Sequence, residues 1–163
     1  MESRKIVLGS IIASLYASGI IIFAPISFFL FQVRVADALI PLSIVFGLPA
    51  VFGVTLGNVV ANIYGGLGYI DIIGGSIANF LAAYIGWKIG SRNFTGSWFA
   101  ATVVQNIIIS SIVGSYLALL FEVPLEVGFT GLFLGSSISI NIIGYILVLA
   151  FEKSTFKTEI SKD

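Results

Sequence analysis

The sequence predicts an all-α, polytopic membrane protein: a bundle of six transmembrane helices with both termini cytoplasmic. Three observations point there. Apolar residues make up 58% of the chain and charged residues only 10%, with a mean hydropathy of +1.08, whereas a soluble domain carries about 25% charged residues. The charge-free stretches are long enough to cross a bilayer. The basic residues fall at alternate ends of those stretches. The whole chain, residues 1–163, reads as one transmembrane domain without a linker or low-complexity segment.

A helix of about 20 apolar residues crosses a hydrocarbon core of about 30 Å. The charge-free stretches are Ile6–Val33, Ala38–Ile70, Ile72–Trp87, Asn93–Phe121 and Val127–Phe151. The first follows Met1–Lys5 as a secretory signal would. It is too long for a signal core and lacks a small-x-small cleavage site, so it reads as span 1. The second would form a rod of about 50 Å, too long for one span and tight for two. Gly47-Leu48-Pro49 interrupts it, and proline ends or kinks a helix at the residue before it. The stretch therefore divides into a short helix over about 38–47 and another over about 49–64.

Basic residues gather on the cytoplasmic side of membrane proteins. With six spans, Arg4 and Lys5, Lys88 and Arg92, and Lys153, Lys157 and Lys162 share one side, leaving only Arg34 opposite. With five, the N-terminal pair would oppose the other clusters. Small residues recur at four-residue spacing: Gly9, Ala13 and Ala17 in span 1; Gly53, Gly57 and Ala61 in span 3; Ala78, Ala82, Gly86 and Gly90 in span 4; Gly131 and Gly135 in span 6. Such stripes let helix backbones approach closely, either within the bundle or against a separate membrane partner.

Eight Lys+Arg balance eight Asp+Glu, and the chain has neither Cys nor His. That excludes a global field for nucleic acid, disulfides, thiolate or imidazole metal sites and catalytic triads. No Walker A pattern supplies ATP hydrolysis, and no filter-like or ring-forming charged segment supports a channel. Neither an enzyme nor a nucleic-acid binder is expected.

In so apolar a chain each intramembrane polar residue is a functional candidate. Gln32, Arg34 and Asp37 lie between spans 1 and 2. Asn58 and Asn62 share a face of span 3, Asp71 and Asn79 bracket the start of span 4, and Gln105 and Asn106 lie in span 5. Ser136, Ser137, Ser139 and Asn141 lie in span 6. Structural alternatives exist for most of them. Asp37 and Asp71 are placed to cap spans 2 and 4, Arg34 to snorkel to lipid phosphates or pair with Asp37, and the asparagines to bridge helices. Together, carboxamides and carboxylates from several helices suit a neutral, planar, hydrogen-bonding solute. Phe28, Phe31, Tyr64 and Tyr69 are available either to stack on it or to form an interfacial belt.

Ala24-Pro25-Ile26-Ser27, then Phe31-Gln32-Val33-Arg34-Val35-Ala36-Asp37-Ala38-Leu39, then Asn58 to Gly68 leading into Asp71-Ile72-Ile73-Gly74-Gly75-Ser76, resemble the QueT family. Its members are substrate-binding S components of energy-coupling factor (ECF) transporters linked to queuosine precursors. The likeness runs over about residues 9–150, and Gln-x-Arg-x-x-Asp-Ala-Leu is its most specific part. It implies a six-helix S component in the cell membrane that captures a 7-deazaguanine such as preQ0, preQ1 or queuine from outside. It also implies a transmembrane coupling protein and two ATPase subunits as partners, which use the ATP, and no cofactor in this chain. By the same resemblance Ala13 and Ala17 match an A-x-x-x-A docking pattern for the coupling protein. Gln32, Arg34 and Asp37 lie in or over the binding site, with Asn62 and Asp71 opposite and Asn106 added from span 5. Asn58 and Asn79 complete the candidate set. The chain departs from the family pattern at Gly135-Ser136, where a Gly-Glu is expected. The alternatives are an S component for another small vitamin-like solute and a non-transporting membrane scaffold or assembly protein.

Overall fold

The structure, a computed structural model, describes residues 2–29, 32–92 and 94–153. Phe31, Lys157 and Lys162, named above, lie outside the described residues. Among the described residues all regular structure is helical. The helices are α1 (Glu2–Ile22), the single turn α2 (Ala24–Ser27), α3 (Val35–Phe46), α4 (Leu48–Gly65), α5 (Tyr69–Gly90), α6 (Ser97–Leu120) and α7 (Leu125–Lys153). Of these, α1, α4, α5, α6 and α7 are long and apolar enough to cross a membrane.

Glycine contacts establish the helix directions. A Cβ on Gly9 would meet Pro49 and one on Gly57 would meet Ala13 and Tyr16, so α1 and α4 run parallel. The chain must therefore return between them, and α3 provides the return. In the other pairs, Gly74 lies against Tyr116, Gly86 against Gln105 and Gly128 against Gly114, so α5, α6 and α7 alternate in direction. Phe46 and Phe151 stack edge to face at 5.4 Å, which brings the ends of α3 and α7 to the end of the bundle where α1 and α4 begin. Arg4, Lys5, Lys88, Arg92 and Lys153 all belong to that end. The connections at 23–29 and 32–34, at 66–68 and at 121–124 lie at the other, here called the loop end.

The short return helix differs from its neighbours because protein rather than lipid surrounds it. Val35–Leu42 is a 3-10 helix and only Ser43–Phe46 is α-helical. At about 2.0 Å and 1.5 Å rise per residue it is about 22 Å long, less than the hydrocarbon thickness. It touches α1, α4, α5, α6 and α7, and Ala36, Asp37, Ala38, Ile40, Pro41 and Leu42 are buried. Irregular backbone at membrane depth is tolerated only in such a setting. Gly47 closes the segment at φ 64° and ψ −139°, a conformation open to glycine alone, and its N–H caps Ser43 O at 2.8 Å. The interruption expected at Gly47–Pro49 is therefore a true turn.

The small-residue stripes pack mainly against each other. A Cβ on Gly53 would lie 2.8 Å from Gly9 O, and one on Gly57 2.7 Å from Ala13 O, so the α1–α4 pair closes backbone to backbone. Large apolar side chains such as Ile11 and Leu15 on α1, Leu56 and Ile63 on α4 and Ile73 on α5 point outward. The buried face of the same helices carries Tyr16, Asn58, Asn62 and Asp71. Lipid rather than water takes up the apolar exterior, which frees the interior for polar groups.

Candidate functional site

Three helices, α3, α4 and α5, bring the charged and amide side chains of the loop end together, and α1 and α6 each add a tyrosine. Arg34 precedes α3 with only 5% of its surface exposed. Its Nη2 donates to Asn58 Oδ1 at 3.1 Å and to Asn62 Oδ1 at 2.6 Å. Asn58 and Asn62 are one turn apart on α4, so a single guanidinium arm reaches both. Asn62 Nδ2 in turn donates to the backbone carbonyl of Asp71 at 2.7 Å. Asn58 Nδ2 reaches Ser76 Oγ at 3.5 Å. The charge of Arg34 also acts on both Asp37 and Asp71.

Each carboxylate accepts a hydrogen bond from a tyrosine of another helix. Tyr16 on α1 donates to Asp37 Oδ1 at 2.5 Å, with a longer approach of 3.5 Å to Asn58 Oδ1. Tyr116 on α6 donates to Asp71 Oδ1 at 2.7 Å. These tyrosines were not among the residues expected from the sequence. Their one signal is the hydroxyl, because burying it without a partner costs several kcal/mol in an apolar medium.

Gly75 is why the amides fit. It lies one helical turn from both Asp71 and Asn79 on the same face of α5. A Cβ there would be 2.6 Å from Asn62 Nδ2, 2.9 Å from Asn58 Nδ2 and 3.3 Å from the Tyr116 hydroxyl. The glycine-rich segment that follows Asp71 thus makes space for carboxamides from α4.

Two atoms of this network are buried without a partner, a donor at Arg34 Nε and an acceptor at Asp71 Oδ2. Buried polar groups are nearly always satisfied, and each exception calls for an explanation. The Phe28 ring lies 5.8 Å from Arg34 Cζ and covers the guanidinium.

The capping roles considered for Asp37 and Asp71 do not occur. Arg34 and Gly68 occupy the N-cap positions of α3 and α5, with no side-chain cap bond at either. Both aspartates stand within the first turn, turned inward to the tyrosines. Arg34 does not snorkel to lipid, because the carboxamides hold it inside. Tyr64 and Tyr69 are 61% and 83% exposed, which suits an interfacial belt rather than stacking in the site.

The remaining candidates are distributed around this centre. Asn79 is buried and donates to Val54 O at 3.2 Å, bridging α5 to α4 deeper in the bundle. Gln32 is buried, and its backbone carbonyl lies against Gly135. Asn106 belongs to a separate buried cluster on the α6–α7 contact. There it donates to Ser137 Oγ at 2.9 Å and accepts from Ser110 at 3.0 Å. Gln105 donates to Ser43 Oγ at 3.2 Å across to α3. Ala17 is buried, whereas Ala13 lines an outward groove of about 510 Å³ between α1 and α4 with Gly9, Ser10, Pro49 and Phe52.

The arrangement has no nucleophile–base pair. It is a buried network in which a guanidinium, carboxamides and carboxylates converge from separate helices. No curated protein and no solved structure matches the chain. A family model does, the QueT transporter, over residues 6–153. That is a transporter family rather than an enzyme family, and a multi-pass membrane protein with a small-molecule substrate accords with both the helices and the buried network. With nearly its whole length matched, the chain belongs to the QueT transporter family.

Proposed function

We propose that this protein is the substrate-capturing S component of an ECF-type ABC importer, binding a 7-deazaguanine precursor of queuosine or archaeosine from outside the cell. The observation that carries this reading is the pair of unpartnered atoms, Arg34 Nε and Asp71 Oδ2, in one buried network. Leaving two such groups unpaired costs about 2–6 kcal/mol, and a planar ligand with a donor and an acceptor edge would recover it. A 7-deazaguanine offers N1–H and a 2-amino group to Asp71 and its carbonyl oxygen to Arg34. Asp37, Asn58 and Asn62 hold those two residues in place. Gln32 and Asn79 contribute from the flanks, whereas Asn106 is engaged in the α6–α7 cluster with Ser110 and Ser137.

In this reading α3 is the second of six passes, and the end that gathers Arg4, Lys5, Lys88, Arg92 and Lys153 faces the cytoplasm. The α1–α4 groove around Ala13 receives the transmembrane coupling protein, while two ATPase subunits supply the energy. Ala17 supports the α1–α4 packing beneath that groove.

Calorimetric titration of the purified protein with preQ0, preQ1 and queuine tests the substrate. Binding at micromolar or lower concentration is expected, with loss in Asp71→Asn at unchanged thermal stability. No binding of any of the three overturns the assignment. If Ala13→Trp leaves uptake and co-purification with a coupling protein intact, the docking role fails on its own. A scaffold, by contrast, would show only a change in stability on Asp71→Asn.

A further inference from the structure

We propose that Tyr16 and Tyr116 are positioning residues that lock the two carboxylates as hydrogen-bond acceptors and so decide which heterocycle edge the site takes. The inference rests on the ligand-binding reading above and assigns its edge specificity to two residues outside the binding set. Each tyrosine reaches a different aspartate from a different helix: Tyr16 from α1 to Asp37, and Tyr116 from α6 to Asp71.

Both rings are seated where a glycine of a neighbouring helix leaves room. A Cβ on Gly57 would lie 2.8 Å from Tyr16 Cβ, and one on Gly74 would lie 3.0 Å from two carbons of the Tyr116 ring. Phenylalanine would fill either space equally well. The hydroxyls are therefore the distinguishing feature, and in this interior a hydroxyl is favourable only when paired.

The pairing has a directional consequence. A phenol that donates to Asp71 Oδ1 occupies that oxygen as an acceptor and fixes the rotation of the carboxylate. Oδ2, buried and without a partner, is then presented as an acceptor too. A guanine-type edge, with its ring N–H and 2-amino donors, complements that oxygen. An adenine-type edge sets a ring-nitrogen lone pair against it and is rejected. Without the phenol the carboxyl group loses a donor that favours its ionised, acceptor-only form; once protonated it offers an O–H to an adenine-type ring nitrogen, and the discrimination relaxes.

The experiment compares 7-deazaguanine and 7-deazaadenine binding to the wild type, Tyr116→Phe and Tyr16→Phe. Phenylalanine keeps the ring that walls the α5–α6 groove, so the fold is retained. The wild type is expected to prefer the guanine-type base by about 100-fold or more, since sites built to pair a substrate N–H discriminate strongly. Tyr116→Phe should remove about tenfold of that preference, the worth of one oriented hydrogen bond, and Tyr16→Phe should change it in the same sense. A merely structural tyrosine would instead weaken both bases equally, which overturns the proposal. Wild-type discrimination retained in Tyr116→Phe overturns it alone, whereas a wild type that binds neither base overturns the site reading and this inference with it.

Discussion

Replacing Gly75 by alanine puts a methyl carbon 2.6 Å from Asn62 Nδ2 and 2.9 Å from Asn58 Nδ2. Ordinary contact requires the Asn62 carboxamide to retreat by about 0.8 Å and that of Asn58 by about 0.5 Å. The Asn62 donation to Asp71 O, 2.7 Å in the native protein, would then lengthen to about the limit of a hydrogen bond. The Arg34 bond to Asn62 would be strained with it. Losing one neutral and one charge-assisted bond costs about 2–4 kcal/mol. At about 2–4 °C per kcal/mol for a chain of this size, the melting temperature should fall by about 4–16 °C. Ligand affinity should drop by about tenfold or more, because Arg34 and Asp71 lose their mutual placement. Fluorescence-monitored unfolding in detergent and calorimetric titration read the two effects. Ile73→Ala is the control on the same helix, since Ile73 is 58% exposed to the surroundings and should affect neither. A Gly75→Ala protein with native melting temperature and affinity would refute the packing argument.

Other expectations follow from the same geometry. Gly57→Val forces α1 away from α4, because even a Cβ there lies 2.7 Å from Ala13 O. A loss of about 1–3 kcal/mol is expected in detergent unfolding, with a disturbed Tyr16. Arg34→Lys keeps the charge and can replace the Nη2 donor to Asn58 and Asn62, but it removes Nε, the buried donor left without a partner. Affinity should fall by about tenfold or more, as titration would show. The chain contains no Cys, so single cysteines report sidedness cleanly. In intact cells Tyr69→Cys should react with an impermeant maleimide added outside, while Ser91→Cys should react only after permeabilisation. The reverse pattern would invert the topology.

Much of the polar set was legible from chemistry alone. In an apolar chain Arg34, Asp37, Asn58, Asn62 and Asp71 stand out because each is costly in lipid. Asn58 and Asn62 also show by their spacing that they share a helix face. The turn at Gly47–Pro49 was equally plain, since glycine and proline act locally. Tyr16 and Tyr116 were not legible in this way, because nothing in a sequence of apolar helices distinguishes a tyrosine that bonds an aspartate from one at the interface. Asn106 shows the opposite case: a suitable residue type at a suitable depth that the rotation of α6 turns towards Ser110 and Ser137 instead.

By itself, then, the sequence determined the membrane-spanning character, the positions of the long helices and the side chains too polar to face lipid, since all of these follow from composition and near-neighbour spacing. Only the tertiary structure decided that α1 and α4 run parallel around a 3-10 return helix, that Gly75 makes room for two asparagines, and that each aspartate meets a tyrosine rather than a helix end. Those outcomes depend on which helix faces which, and the close approach of small residues far apart in the chain establishes that.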